Sequence, residues 1–207
     1  MKFFLPLLLL VTSSSLHSKV EILPYKSNYS WDNSWNEAVR AELELEAESV
    51  IMNQEINAED LKELDCPGYN SVTDNELKKD FWIVFLSSLT RAESGFNTKV
   101  RSRGGNIGLL QFSKATARTN CGLKTSEEIA EPNDHLRCGV RMLSWQLEGA
   151  PTASGRMLRP DLKGQLFGKH ILLWGPLRQN DKSGRKLLTT WFKKHLDQLP
   201  FCSSKAE

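Results

Sequence analysis

The sequence has no apolar run approaching the roughly twenty residues that a membrane-spanning helix needs. Its longest, Phe3–Val11, has nine. No segment alternates strictly between apolar and polar residues, which argues against an exposed antiparallel sheet and leaves room for no more than a small hairpin within Gly95–Gly108. A close Cys-x-x-Cys pair, a glycine-rich phosphate loop, a helical pair of metal ligands and a Ser/His/Asp arrangement are all missing. No cofactor and no metal are therefore expected, and His135, His170 and His195 read as ordinary surface or core histidines.

What is present fits one domain with a short extension: 207 residues, 40% hydrophobic and 25% charged, are ordinary globular values. The net charge of +2 conceals two halves of opposite sign. Residues 19–80 hold 6 Lys/Arg against 15 Asp/Glu, a net of −9, whereas residues 81–207 hold 20 against 10, a net of +10. The chain opens with Lys2, the apolar run and the small polar stretch Thr12–Ser18, the pattern of a secretory signal peptide over residues 1–18, with cleavage after Ser15 or Ser18 both open. No Cys follows the apolar run, so a lipid anchor is not suggested. The mature protein is expected to be exported, periplasmic or secreted, without a stable membrane anchor, and monomeric.

Export gives four cysteines a default meaning, two disulfides. Three pairings are open. The favoured one joins Cys121 to Cys138 across a short loop and Cys66 to Cys202 across the domain; zinc held by Cys121, His135 and Cys138 is the competing reading.

Residues 36–64 have almost no Gly or Pro and are rich in Glu, Ala and Leu, which predicts one or two acidic helices in an N-terminal extension, residues 19–65. A solvated face is the favoured reading of these helices, and a cover leaning on the basic part through charge is the other. The main domain, residues 66–207, is read as mainly helical. A helix starts at Thr73, three residues before Glu76, in capping-box spacing, and runs to about Ser94. Its middle, Phe81–Leu89, is apolar nearly all round and should be the buried central helix. Further helices are predicted at Leu109–Thr119, Pro132–Glu148, about Gln165–Trp174 and Lys186–Asp197.

On the central helix Trp82, Leu86, Leu89 and Glu93 are spaced by 4, 3 and 4 residues, so Glu93 ends an apolar stripe. A carboxyl held against apolar side chains loses hydration and keeps its proton to higher pH, as a general acid requires. The bland alternative is an ion pair with Arg91, Lys99 or Arg101. No Asp or Glu occurs between Glu93 and Glu127. Conventional glycosidases set two carboxyls about 5–9.5 Å apart, so a second acid here must come from far along the chain, with Asp181 and Asp134 as candidates, or be absent.

The string Glu93-Ser94-Gly95-Phe96-Asn97, then Ser102, then Gly105-Asn106-Ile107-Gly108-Leu109-Leu110-Gln111, then Ala115-Thr116-Ala117-Arg118 resembles the soluble lytic transglycosylase family, relatives of goose-type lysozyme. Asp134–Leu147 looks like the family's next helix. The resemblance implies an all-α, lysozyme-like fold that cleaves the β-1,4 bond between N-acetylmuramic acid and N-acetylglucosamine in peptidoglycan strands. It makes Glu93 the acid that protonates the leaving oxygen and then the base on the sugar's 6-hydroxyl, giving 1,6-anhydromuramoyl ends. Ser102 and Gln111 match positions that contact sugar, Gly108 would let the backbone approach the substrate, and Ser94 reads as a helix-end residue.

The sequence departs from the family pattern in places. Leu110 stands where the family has Met, and Ser113-Lys114 replaces a Met-Pro. The family's later Ala-Tyr-Asn-Ala-Gly is absent; its nearest counterpart is Leu172-Leu173-Trp174-Gly175-Pro176, where Trp174 is either a sugar-stacking cleft residue or core. Two alternatives follow: a hydrolytic lysozyme with altered glycan preference, such as a deacetylated strand, or a catalytically weak peptidoglycan-binding protein. Nucleic acid is not expected as a partner, because the protein is exported and Arg178–Lys186 lacks interleaved aromatics. The basic half is read instead as attracting an anionic wall polymer.

Overall fold

The computed structural model describes residues 19–26, 28–45, 50–149, 160–171 and 173–203; the expected signal peptide lies outside them. The helices are α1 (Trp35–Leu45), α2 (Val50–Asn53), α3 (Ala58–Glu63), α4 (Asn75–Glu93), α5 (Lys114–Cys121), α6 (Ser126–Ala130), α7 (Pro132–Glu148) and α8 (Lys182–Lys193), joined by short 3-10 turns. Among the described residues there is no strand, and the Gly95–Phe112 loop contains only the isolated bridges Arg101–Ile107 and Ile107–Phe112. The fold is all-α.

The axis of the molecule is α4. Asp74, not Thr73, caps it, accepting the amides of Glu76 and Leu77; an Asp one residue nearer the helix does the same work as the expected Thr. Every side chain from Phe81 to Thr90 is fully buried, because α1, α2, α7 and α8 pack around the helix. The Ser87 and Ser88 hydroxyls within this stretch donate to the Val84 carbonyl at 2.9 and 2.7 Å, so neither is left unpaired in the core.

The acidic helices are not a solvated face. Val20, Ile22, Trp31, Val39, Leu43, Ile51, Met52, Leu61 and Leu64 belong to the same core as Phe81, Phe85 and Phe192. Their charges meet the opposite sign: Glu42 pairs with Arg141 at 2.5 Å, Asp65 with Lys193 at 2.7 Å and Glu63 with Arg185 at 3.5 Å. Arg40, buried, binds Asp80 and, at 2.9 Å, Glu76. The cover reading is the observed one, since the inner face of α1 is apolar enough to be buried and its rim is charged against a basic neighbour.

Cys66 is joined to Cys202 and Cys121 to Cys138. The first bond ties together residues 136 apart in sequence, a constraint on the unfolded chain of about 2–5 kcal/mol. Zinc is excluded at Cys121 and Cys138, which are bonded to each other, and among the described residues no cluster of metal-ligating side chains forms.

Three helix expectations are corrected. The helix expected over Leu109–Thr119 starts only at Lys114, where Ser113 caps it through the Thr116 amide. The described part of the helix expected over Gln165–Trp174 is not helical. Its backbone is satisfied by side chains from elsewhere: the Leu166 and Phe167 amides donate to the Asp60 carboxylate at 2.7 and 3.3 Å, and Gln146 donates to the Gln165 carbonyl at 2.9 Å. The last helix begins at Lys182, earlier than Lys186, because Asp181 caps it through the Gly184 amide at 2.9 Å.

Asp60 is buried, and burial pushes its pKa from 3.8 up to about 6 in spite of the two amides it accepts. The folded state thus binds this proton more tightly than the unfolded chain, and stability is lost as pH rises from 3.8 to about 6. Asp60→Asn keeps an acceptor and carries no charge, so its unfolding temperature is expected to fall less than that of the native protein through that window. Asp60→Ala leaves both amides unpaired and should be less stable than Asp60→Asn by about 1–3 kcal/mol at every pH. Thermal unfolding of the three proteins between pH 4 and 8 checks both outcomes.

Candidate active site

Glu93 is the last residue of α4, and Ser94 ends the helix, its amide and hydroxyl both donating to the Thr90 carbonyl. Chain reversal follows at once: Gly95 and Phe96 have φ of +59° and +68°. Phe96 tolerates this region because its ring is locked into the core, 2% exposed, against Tyr25, Trp31 and Trp191. The Glu93 carboxyl is thereby left at the edge of the core.

Burial raises its pKa from 4.5 to about 7, and the negative charge of Asp181 adds to this; the Gly175 amide, which donates to the carboxyl, and the positive charge of Arg178 work against it. The ion pair with Arg91, Lys99 or Arg101 is not what forms. The Arg91 guanidinium lies 3.7 Å over the Tyr25 ring and donates to its hydroxyl at 2.6 Å. Of the two candidate second acids, Asp181 is the one beside Glu93. A Cβ placed on Gly175 would sit 2.8 Å from Asp181 Oδ2 and 3.8 Å from Glu93 Oε1. Asp134 instead pairs with Arg137 at 3.6 Å in the first turn of α7.

The loop after Glu93 is held from below by His135. Its Nδ1 donates to the Ile129 carbonyl at 2.6 Å, its Nε2 accepts the Leu110 amide at 2.9 Å, and its ring stacks on Phe112 at 4.3 Å. Burial pulls its pKa down to about 4, so the ring stays neutral and keeps its acceptor. This explains Gly108 differently from the expectation. At φ +76° a Cβ there would come within 3.0 Å of the His135 ring, so the glycine makes room for a core histidine and is itself buried.

Gln111 has φ +51° and donates its side-chain amide to the carbonyls of Gly108 at 2.9 Å and Val100 at 3.4 Å. Ser102 lies on an exposed turn, its hydroxyl accepting the Asn106 amide at 3.1 Å. Trp174 takes the core position of the two it was left: it is 3% exposed and donates its indole N–H to the Leu110 carbonyl at 3.0 Å. No face remains for stacking on sugar. Its neighbour Leu172 lies outside the described residues.

The structure thus brings together Glu93, Gly175, Arg178 and Asp181, and separately binds Gly108, Gln111 and Trp174 into the support beneath the loop. Sequence reading missed Gly175, whose amide reaches Glu93, although Asn180-Asp181 ahead of a helix was a legible cap that would have drawn attention to this turn.

A lysozyme-like helical fold that ends its buried central helix on a glutamate whose pKa burial raises fits the class of glycan-strand-cleaving domains. Residues 70–159 match the family model described as the transglycosylase SLT domain, which in general implies lytic-transglycosylase-type cleavage of peptidoglycan. Three solved structures of one protein, Bd0314 DslA, are similar. Its wild-type form 2 gives a TM-score of 0.59 at 24% identity, covering 84% of this chain and 96% of that one. Two of its mutants, each with one glutamate changed to glutamine, give TM-scores of 0.58 and 0.57 at 25% identity, covering 83% and 84% of this chain and 92% and 96% of theirs. No match was found among curated proteins.

With a pKa of about 7 against 4.5 in the unfolded chain, Glu93 weakens the fold progressively as pH rises between those values. Glu93→Gln is expected to unfold like the native protein at pH 4 and to be more stable by roughly 1–3 kcal/mol at pH 8. Denaturant unfolding at the two pH values checks this; equal stability at both would contradict the buried placement of the carboxyl.

Proposed function

We propose that the protein cleaves the β-1,4 bond between N-acetylmuramic acid and N-acetylglucosamine, with Glu93 as the single proton donor and acceptor. The observation that carries this reading is a carboxyl whose pKa lies near 7 through burial, so that it holds a proton at neutral pH and can also work after losing it. Protonated Glu93 gives its proton to the glycosidic oxygen as the C1–O bond breaks. The resulting carboxylate then takes the proton of the muramoyl 6-hydroxyl, whose oxygen bonds to C1 and closes a 1,6-anhydro ring. Gln111 offers its carboxamide oxygen and Ser102 its hydroxyl to the strand, as their family positions imply. Neither metal nor cofactor enters the scheme, and the enzyme works as an exported monomer.

A second reading, hydrolysis, is favoured by the position of Asp181. The two carboxyls are separated by at most the sum of their distances from the Gly175 Cβ position, 2.8 and 3.8 Å, which is inside the upper limit of about 9.5 Å for paired glycosidase acids.

Mass spectrometry of products from native and chemically deacetylated sacculi separates these readings. Anhydro ends, lighter by one water, are expected from the native protein and none from Glu93→Gln, which should still bind sacculi. Reducing ends would transfer the assignment to hydrolysis, and full activity in Glu93→Gln would end both. Sacculus binding is also expected to weaken with added salt, because 20 Lys/Arg against 10 Asp/Glu in residues 81–207 favour a polymer bearing carboxylates. Binding measured between low and high sodium chloride tests this, and salt-independent binding would remove charge attraction from the account.

A further inference from the structure

Building on the reading of Glu93 as proton donor, we infer that Asp181 is an electrostatic positioning residue of the site, a fixed negative charge that faces Glu93 across the Gly175 turn and keeps the proton on it. The geometry is specific. Asp181 Oδ1 accepts the Gly184 amide at 2.9 Å and faces the Ser183 hydroxyl at 3.2 Å, which leaves Oδ2 directed towards Gly175. Two glycines clear the space it occupies. A Cβ on Gly175 would lie 2.8 Å from Oδ2, and one on Gly184 would overlap the same oxygen. Gly184 stands in the first turn of α8, where helix propensity disfavours glycine, so the gap serves the carboxylate.

Two carboxyls this close do not both ionise readily; one holds the charge and the other the proton. The division follows from their surroundings. Asp181 caps a twelve-residue helix and acts on Glu93 as a negative charge. Glu93 ends α4 at the opposite pole, is desolvated, and accepts the Gly175 amide. The other charged group bearing on Glu93 is Arg178, of opposite sign, and on its own helix Arg91 is turned away to Tyr25. Asp181 therefore offsets Arg178 and holds the acid near neutrality.

The test is a carbon-13 NMR titration of the Glu93 carboxyl in the full mature chain, as native protein and as Asp181→Asn and Asp181→Ser. Both replacements can still cap α8, and circular dichroism shows whether each is folded. The Glu93 midpoint is expected to fall by about one pH unit in both variants, with the basic limb of sacculus solubilisation moving by the same amount. An unmoved midpoint in either folded variant overturns the inference, as does a loss of activity at every pH with the limb in place, which would put Asp181 on the substrate or confine it to capping. The NMR readout needs no turnover, so it stands apart from the proposed reaction, which fails separately if Glu93→Gln remains active.

Discussion

The carboxyl at the end of a helix buried on every side through Phe81–Thr90 is the constraint from which the rest of the site follows. A helix buried on every side, as α4 is from Phe81 to Thr90, must hand its last residue to the core boundary, and a glutamate there cannot keep full hydration. Its position at the C-terminal pole of the helix adds to the penalty on negative charge. Left uncorrected, these effects would produce an acid too weak to give up its proton readily. The Gly175 amide and Arg178 pull the other way, and the balance falls at about 7, where the proposed double role needs it.

That balance depends on a loop that cannot relax. Gly95, Phe96, Gly108 and Gln111 all have positive φ, and two of these are not glycine, so the conformation must be enforced by packing. Phe96 is enforced from the N-terminal side by Tyr25 and Trp31. Gly108 to Phe112 is enforced by the neutral ring of His135, which accepts one amide, donates to one carbonyl and fills the space a Cβ on Gly108 would need. A histidine that reads in sequence as an ordinary core residue thus sets the geometry of the segment carrying Gln111.

What the sequence disclosed and what it concealed divide along one physical line. Features governed by neighbours three or four residues away were legible: the central helix, Glu93 at the end of its stripe, and Pro132–Glu148, which forms α7 with those bounds. The favoured cysteine pairing, chosen from expected export and loop length among three, is the one that forms. Features governed by distant partners were not. Gln165–Trp174 has helical composition, but its amides are claimed by Asp60, more than 100 residues away. Trp174 could have faced a cleft until the Leu110 carbonyl, 64 residues away, took its N–H. The nearness of Asp181 to Glu93 depends on where the Gly175 turn lies, which no local pattern specifies.

The position of that turn depends on the acidic part of the chain. Arg185 donates to the Leu177 carbonyl at 2.7 Å and the Pro176 carbonyl at 3.5 Å, lies 4.6 Å over the Phe167 ring and pairs with Glu63 of α3. Asp60, on the same helix, holds the Phe167 amide from the other side. The Gly175–Leu177 turn is therefore gripped through Arg185 and Phe167 by two carboxylates of α3. Its amide, in turn, tunes Glu93. The opposite charges of the two halves, which cancel to +2 over the whole chain, meet where they fix the partner of the reactive acid. The acidic segment is thus part of the support of the site, joined to it by buried hydrogen bonds whose loss costs far more than that of a solvated ion pair.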